Sequence, residues 1–169
     1  VRLSHSLLRI GVRRRDVREL CESLTEGVLA VPPLWVADAR ETLGERSVVV
    51  AAGVGWPWGF SPASAKAVES ATAAADGAGE LWLMVNLGAL ESGLDFHVLD
   101  DLQSVQDVAG PAGTSVHVAI PDGLAPRDRG RLVQMAAECE ADGLILGSDF
   151  TEDVLSALND LTDLPLTRL

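Results

Sequence analysis

Seven short apolar runs, several of them rich in β-branched residues, alternate along this chain with segments that carry apolar residues at helical spacing. That alternation is the strongest constraint on what the chain can fold into. The runs fall at residues 3–8, 27–31, 47–52, 80–85, 115–120, 143–146 and 165–169. Strands separated by helix-length segments pair in parallel, because a parallel neighbour is reached only through a long crossover. The helical segments are punctuated. Val17, Leu20, Cys21 and Leu24 fall at i, i+3, i+4 and i+7 on one face of a first helix. Pro33 suits the first turn of a second, and Ser61-Pro62 reads as an N-cap followed by Pro at the first position of a third. Val98, Leu99, Leu102, Val105 and Ala109 stripe a fourth, which Gly110-Pro111 is expected to end. Leu132, Val133, Ala136 and Ala137 stripe a fifth. Thr151 is placed to cap a sixth, whose first turn holds Glu152 and Asp153 as the helix dipole favours. No low-complexity linker interrupts the pattern, so the expectation is one α/β domain over residues 1–169.

A length of 169 residues with 47% hydrophobic content allows a sizeable core. A formal net charge of −12 speaks against a nucleic-acid surface, which needs clustered cations. Residues 1–18 nevertheless hold six arginines and one acid. Arg13, Arg14 and Arg15 read either as a targeting or anion-binding segment or, preferably, as the solvated face of the first helix. The apolar stretch 7–12 is too short for a signal peptide and is broken by Arg9. The longest uncharged run, 47–65, is interrupted by Gly53, Gly55, Pro57, Gly59 and Pro62 and will not span a bilayer. Cys21 and Cys139 lack metal-ligand spacing and fall on apolar helix faces, so buried free thiols in a cytoplasmic protein are expected. No cofactor, metal, nucleic acid or membrane partner is expected.

Four segments carry a resemblance: GVGWPWG at 53–59, SAKAVES at 64–70, GAGELWLMVNLGALESG at 77–93 and ADGLILGSDF at 141–150. In this order and spacing the chain resembles the deoxyribose-phosphate aldolases, (β/α)8 barrels that make and break carbon–carbon bonds through a lysine Schiff base. The likeness extends to Leu3-Ser4-His5-Ser6-Leu7-Leu8, to Ala30-Val31-Pro32-Pro33-Leu34-Trp35-Val36 and to Asn86-Leu87-Gly88-Ala89-Leu90. It implies a TIM-barrel-like parallel β/α fold, here with about seven strands. Such barrels typically need roughly 250 residues, and the family's eighth strand would follow Leu169. An open seam would leave strand edges for a partner subunit or a second copy to cover.

The family's functional positions read differently here. Its fourth strand is Glu-x-Asp-x-Val, the Asp being the proton shuttle; here Trp82 takes that place in Glu80-Leu81-Trp82-Leu83-Met84. Its sixth strand is Ala-Asp-x-x-Lys-Thr-Ser, the Lys forming the Schiff base; here Ile145 takes that place. The second active-site lysine would fall near Thr167. Lys66 is the only lysine in the chain, and Glu69 three residues on suggests an exposed helix with an i,i+3 ion pair. An iminium mechanism needs a lysine amine inside the pocket. The expectation is therefore that Schiff-base chemistry is gone and that Trp82 and Ile145 fill the old centre.

The remaining candidates each have two readings. His117, where the family has a lysine near the active site, is a general acid or base, or a histidine satisfied by neighbours in the barrel wall. Asp122 and Asp149 fall just past the fifth and sixth strands, on the face where barrel enzymes place catalysis. They form an acid–base or cation-holding pair, or a Pro121-Asp122-Gly123 turn and an acid ahead of a helix. Trp56 and Trp58 line an apolar ligand pocket, with Trp82, Asn86 and Ile145, or seal their loop against the barrel. Two functions follow. One is a lyase or cyclase-like enzyme of specialised metabolism acting on a small carbonyl metabolite by non-covalent acid–base catalysis. The other is a non-catalytic pseudoenzyme that serves as subunit or scaffold.

Overall fold

The computed structural model describes residues 4–148 and 150–168. Within them β1 (Ser4–Ser6), β2 (Glu26–Val31), β3 (Ser47–Val54), β4 (Glu80–Leu83), β5 (Ser115–Ile120), β6 (Gly143–Leu146) and β7 (Leu166–Arg168) form one sheet in sequence order. Every neighbouring pair is parallel. The helices α1 (Arg14–Ser23), α2 (Val36–Leu43), α3 (Ala63–Ala75), α4 (Leu87–Glu91), α5 (Asp95–Ala112), α6 (Pro126–Glu138) and α7 (Glu152–Asn159) supply the crossovers. The sheet curls into a nearly closed TIM-like barrel. The two ends of the ladder meet where the Ser4 hydroxyl donates to the Arg168 carbonyl at 2.7 Å. A side chain, not a strand ladder, bridges that seam among the described residues.

Strict alternation divides the core in two. Val28, Ala30, Ala51, Trp82, Ala119 and Ile145 face the barrel interior. Their neighbours Leu29, Val31, Leu81, Val118 and Leu144 face the helices, where Val17, Leu102 and Leu132 complete an outer layer. The register keeps this parity around the sheet: Ala30 lies beside Ala51, Gly53 beside Trp82, Trp82 beside His117, and Ala119 beside Ile145. Ala30, Ala51, Gly53 and Ala119 keep much of the interior wall small, and this is what admits one indole. At Gly53 a Cβ would stand 2.6 Å from the Leu8 side chain that folds over it.

Several local expectations change. Gly110-Pro111 does not end the long helix. Pro111 sits in the last turn of α5, and the stop comes at Gly113, whose φ of +67° supplies the left-handed cap. Pro33 opens a 3-10 turn (Pro33–Trp35) that runs into α2. Pro62 occupies the cap position of α3 itself, without a side-chain cap bond. Helix α4 has only five residues and no stripe to announce it; Asn86 caps it by accepting from the Ala89 amide at 3.0 Å. Cys21 is buried in α1, but Cys139 is only half-buried, just past the end of α6. Arg13 pairs with Asp16, Arg14 with Asp38, and Arg18 with Asp38 and Glu41, so local acids answer much of the basic run. Among the described residues no helix is long and apolar enough to cross a membrane.

Candidate functional site

Strand β4 turns Glu80, Trp82 and Met84 into the barrel. Trp82 is fully buried, and its Nε1 donates to Glu80 Oε2 at 3.0 Å. His117, beside it on β5, is also buried, with Nε2 3.8 Å from the same carboxylate oxygen. Its Nδ1 lies where a side chain on Gly143 would be, 2.6 Å from the position of a Cβ there. Glu80, Trp82 and His117 thus form an interior cluster, and neither Trp82 nor His117 reaches the cavities of the loop face.

Above this plug, at the C-terminal ends of the strands, is a cleft of about 210 Å³ lined by Trp56, Met84, Ala119, Asp122, Ile145 and Gly147, among others. It is smaller than the usual small-molecule site of roughly 300–1,000 Å³. The Asp122 carboxylate crosses from the end of β5 to the end of β6 and accepts from the Ser148 amide at 3.2 Å and its hydroxyl at 3.4 Å. It lies so close over Gly147 that a Cβ there would be 2.1 Å from Asp122 Oδ1. His117 lies within β5, whereas Asp122 is two residues past its end; five residues of extended chain span roughly 16 Å at about 3.3 Å per residue. The structure therefore does not bring His117 and Asp122 together. Asp149 lies outside the described residues. Among those described, Asp122 is the titratable group lining this cleft. No group of three or more His, Cys, Asp or Glu among them is arranged to hold a metal ion.

The β3–α3 loop forms the other half of the face. Its Trp56–Pro57 peptide is cis, and Gly55 and Gly59 take φ values of +65° and +67°. At Gly59 a Cβ would stand 1.9 Å from the Val85 carbonyl, so only glycine allows the loop to lie this close to β4. Trp56 Nε1 donates to the Leu8 carbonyl at 3.1 Å, tying this loop to the one after β1. Trp56 faces the cleft and a second cavity of about 390 Å³, which Trp58 also lines. Trp58 stacks on Phe60, with centroids 6.0 Å apart and planes within 13°.

Lys66 is not on an exposed face. It is fully buried between α3 and α5, and its Nζ meets Asp101 Oδ2 at 2.6 Å. The same Asp101 oxygen accepts from the Asn86 amide at 2.8 Å, while Glu69 accepts from the Gly55 amide at 2.7 Å. The α3–α5 charge cluster so pins the first residues of two loops. Burial pulls the Lys66 amine down, opposed by Asp101, and pushes the Asp101 carboxyl up, opposed by Lys66. Asn86 serves as a helix cap and loop anchor and lines neither cavity. Asp101 and Arg9 were not among the sequence candidates. The signal for the first was present, since Asp101 falls between Val98, Leu102 and Val105 on the buried stripe of α5. The buried face of α3 is likewise marked by Lys66, Ser70 and Ala73 at i, i+4 and i+7.

No family model matches the chain. Individual relatives do. The deoxyribose-phosphate aldolase of Thermococcus gammatolerans (strain DSM 15229 / JCM 11827 / EJ3) is 33% identical over 164 residues, covering 90% of this chain and 73% of the relative. That of Geobacillus sp. (strain WCH70) is 31% identical over 163 residues, covering 90% and 72%. Among solved structures, the tetrameric deoxyribose phosphate aldolase from Aeropyrum pernix superposes with a TM-score of 0.78 at 23% identity, covering 98% of this chain and 74% of that one. An aldolase designated QR15 gives 0.83 at 18% identity, covering 98% and 77%. The barrel, the loop glycines and these identities agree: the chain belongs to the deoxyribose-phosphate aldolase family.

Proposed function

We propose that this chain is a family member without Schiff-base chemistry, acting on a small carbonyl metabolite by non-covalent acid–base catalysis at the Asp122 cleft. One observation carries the reading. The only lysine in these 169 residues is held at 2.6 Å by Asp101 between two helices, outside the barrel interior, while the family's lysine position is Ile145. An amine enclosed there has no path to a carbonyl in the cleft, and iminium formation requires one. Asp122 is aimed across the mouth and seated on Ser148, and a carboxylate in that setting can take a proton from a carbon adjacent to a carbonyl. Asp149 follows Ser148 in sequence and is proposed as its partner acid. His117, in the interior cluster, is assigned a supporting part beneath the site.

Borohydride reduction in the presence of 2-deoxyribose 5-phosphate and acetaldehyde, read by intact-protein mass spectrometry, tests the first half of this reading. The expected result is no adduct while an active aldolase traps in parallel; an adduct mapping to Lys66 overturns it. A second reading, a non-catalytic subunit or scaffold, is favoured by the distance between His117 and Asp122, which leaves one described acid in a small cleft. Asp122→Asn separates the two. It abolishes turnover of an identified substrate under the first and changes nothing under the second.

A further inference from the structure

The cavity beside the β3–α3 loop that Trp56 and Trp58 line belongs neither to the family's lysine centre nor to the Asp122 cleft. It lies between the loops that follow β1, β2 and β3, to one side of the barrel axis, and has about 390 Å³ of space. It shares Trp56 and Pro57 with the cleft and has no contribution from Met84, Asp122 or Ile145. We propose that it is a binding site for an apolar, ring-bearing carboxylate, held by Arg9.

Its walls argue for the ring. Leu8, Pro32, Pro33, Trp56 and Pro57 are apolar, and two of the prolines and the tryptophan are flat, stiff surfaces. The indole N–H of Trp56 is already engaged by the Leu8 carbonyl, so this side chain offers a ring surface and no spare donor. Trp58, stacked on Phe60, extends the aromatic wall outward, and the two are 55% and 75% exposed. Ile10, 92% exposed, stands at the same rim. Large apolar side chains left in water around a concavity are the mark of a surface that is covered in use.

The charges argue for the acid. Two charged residues line the cavity, Arg9 and Glu69. Glu69 is committed to the Gly55 amide, and its charge is felt by Lys66 behind it. The Arg9 backbone amide donates to the Leu7 carbonyl, but its guanidinium makes no hydrogen bond and no ion pair with any described residue, whereas those of Arg13, Arg14, Arg18 and Arg131 are all paired. A guanidinium at an apolar wall and unmatched by the protein has the fork of donors that a carboxylate accepts from. The chain's net charge of −12 repels anions at long range, so an anion is retained here only if apolar contact adds to the one local cation. A ring-bearing carboxylate supplies both. A sugar phosphate offers less apolar surface and carries more charge than one arginine answers, so it fits this cavity less well by the same reasoning. The site stands whether or not the Asp122 cleft turns anything over, and its test reads binding, not trapping at a lysine.

The test uses the chain as it is, titrated by calorimetry with indole-3-acetate and with indole-3-ethanol, which match in ring and differ in charge. Nuclear magnetic resonance of the indole N–H groups follows in parallel. The acid is expected to bind at least tenfold tighter than the alcohol and to move the Trp56 and Trp58 resonances while leaving Trp82 in place. Arg9→Gln, an exposed change that leaves the fold intact, removes the tenfold preference and leaves alcohol binding as it was. Trp58→Ala weakens both ligands. The proposal is overturned by absence of binding, by equal affinity for acid and alcohol, by a preference that survives Arg9→Gln, or by one that disappears in Asp122→Asn instead.

Discussion

Lys66 and Asp101 meet at 2.6 Å in a fully buried contact between α3 and α5, and through Asp101 that contact reaches the Asn86 amide where β4 gives way to α4. In the sequence, Lys66 offers itself as a surface residue or as a nucleophile; in the fold it is buried and ion-paired. Its ammonium group is the counter-charge that lets a carboxylate sit under two loops, and its stem fills the space left by Gly55, where a Cβ would be 2.8 Å from Lys66 Cε.

Lys66→Met is therefore expected to destabilise the protein by about 3–5 kcal/mol, because it leaves the Asp101 carboxylate buried without its cation. Adding Asp101→Asn should recover a large part of that loss, since the amide oxygen still accepts from Asn86 and carries no charge. Denaturant midpoints of the two single variants and the double variant form the cycle that checks this. Additive losses would mean that the pair contributes no coupling.

Trp82 is the second buried element to test. Its ring occupies the barrel centre and its N–H goes to Glu80. Trp82→Ala is expected to cost about 3–5 kcal/mol by emptying that space. Trp82→Phe keeps much of the volume and loses the hydrogen bond, for about 1–3 kcal/mol. Restoring the family's residues with Trp82→Asp and Ile145→Lys together is not expected to produce aldolase activity, because it would bury two charges where apolar walls now pack. Thermal unfolding and a trapping assay on the double variant check both halves.

At α1 the test is of charge. Arg13 donates to Asp16 from both its backbone and its side chain, which holds the Asp16 carboxyl down at about 2. A folded-state value below the ordinary one of about 3.9 stabilises the fold fully above the ordinary value, and that contribution is lost as pH falls from about 4 towards about 2. Carboxyl-carbon resonance titration should give Asp16 a midpoint near 2 in the wild type. Arg13→Ala should bring it back towards the ordinary carboxylate range.

The strands were legible because their signal is local and repeated. Residues 115–120 and 143–146 coincide with β5 and β6, since β-branched and leucine-rich runs flanked by Gly and Pro leave little choice. Helix ends were less legible. Gly110-Pro111 reads as a stop, yet a proline in the last turn removes little of the hydrogen-bond ladder, and Gly113 is the residue that can adopt the cap. The placement of the candidate residues was legible only in part. Trp56 and Asp122 do line the loop face, but His117 is inside β5 and Asp122 is past its end, and only the fold shows that the two side chains lie at different depths of the barrel. Which side of α3 Lys66 faces depends on α5, some thirty residues later, and no local pattern around Lys66 states that.

Gly147 and Asp122 give the most direct check of the cleft itself. Asp122 has no room to lie across the end of β6 unless position 147 lacks a side chain, because a methyl group there would be 2.1 Å from its Oδ1. Gly147→Ala is expected to push the carboxylate off Ser148 and to destabilise the fold by about 1–3 kcal/mol through overpacking. In an Asp122→Ala background the same change should be nearly silent, since the added methyl then meets open space. Urea midpoints of the four proteins give the coupling. A Gly147→Ala cost that is the same in both backgrounds would mean that the carboxylate is not seated over this glycine and that the acid assigned to the cleft points elsewhere. If the coupling is found, Gly147→Ala also becomes the variant of choice for function: it leaves the Asp122 carboxylate chemically intact while moving it. A loss of turnover comparable to that of Asp122→Asn would then identify position, and not charge alone, as what the cleft requires of this residue.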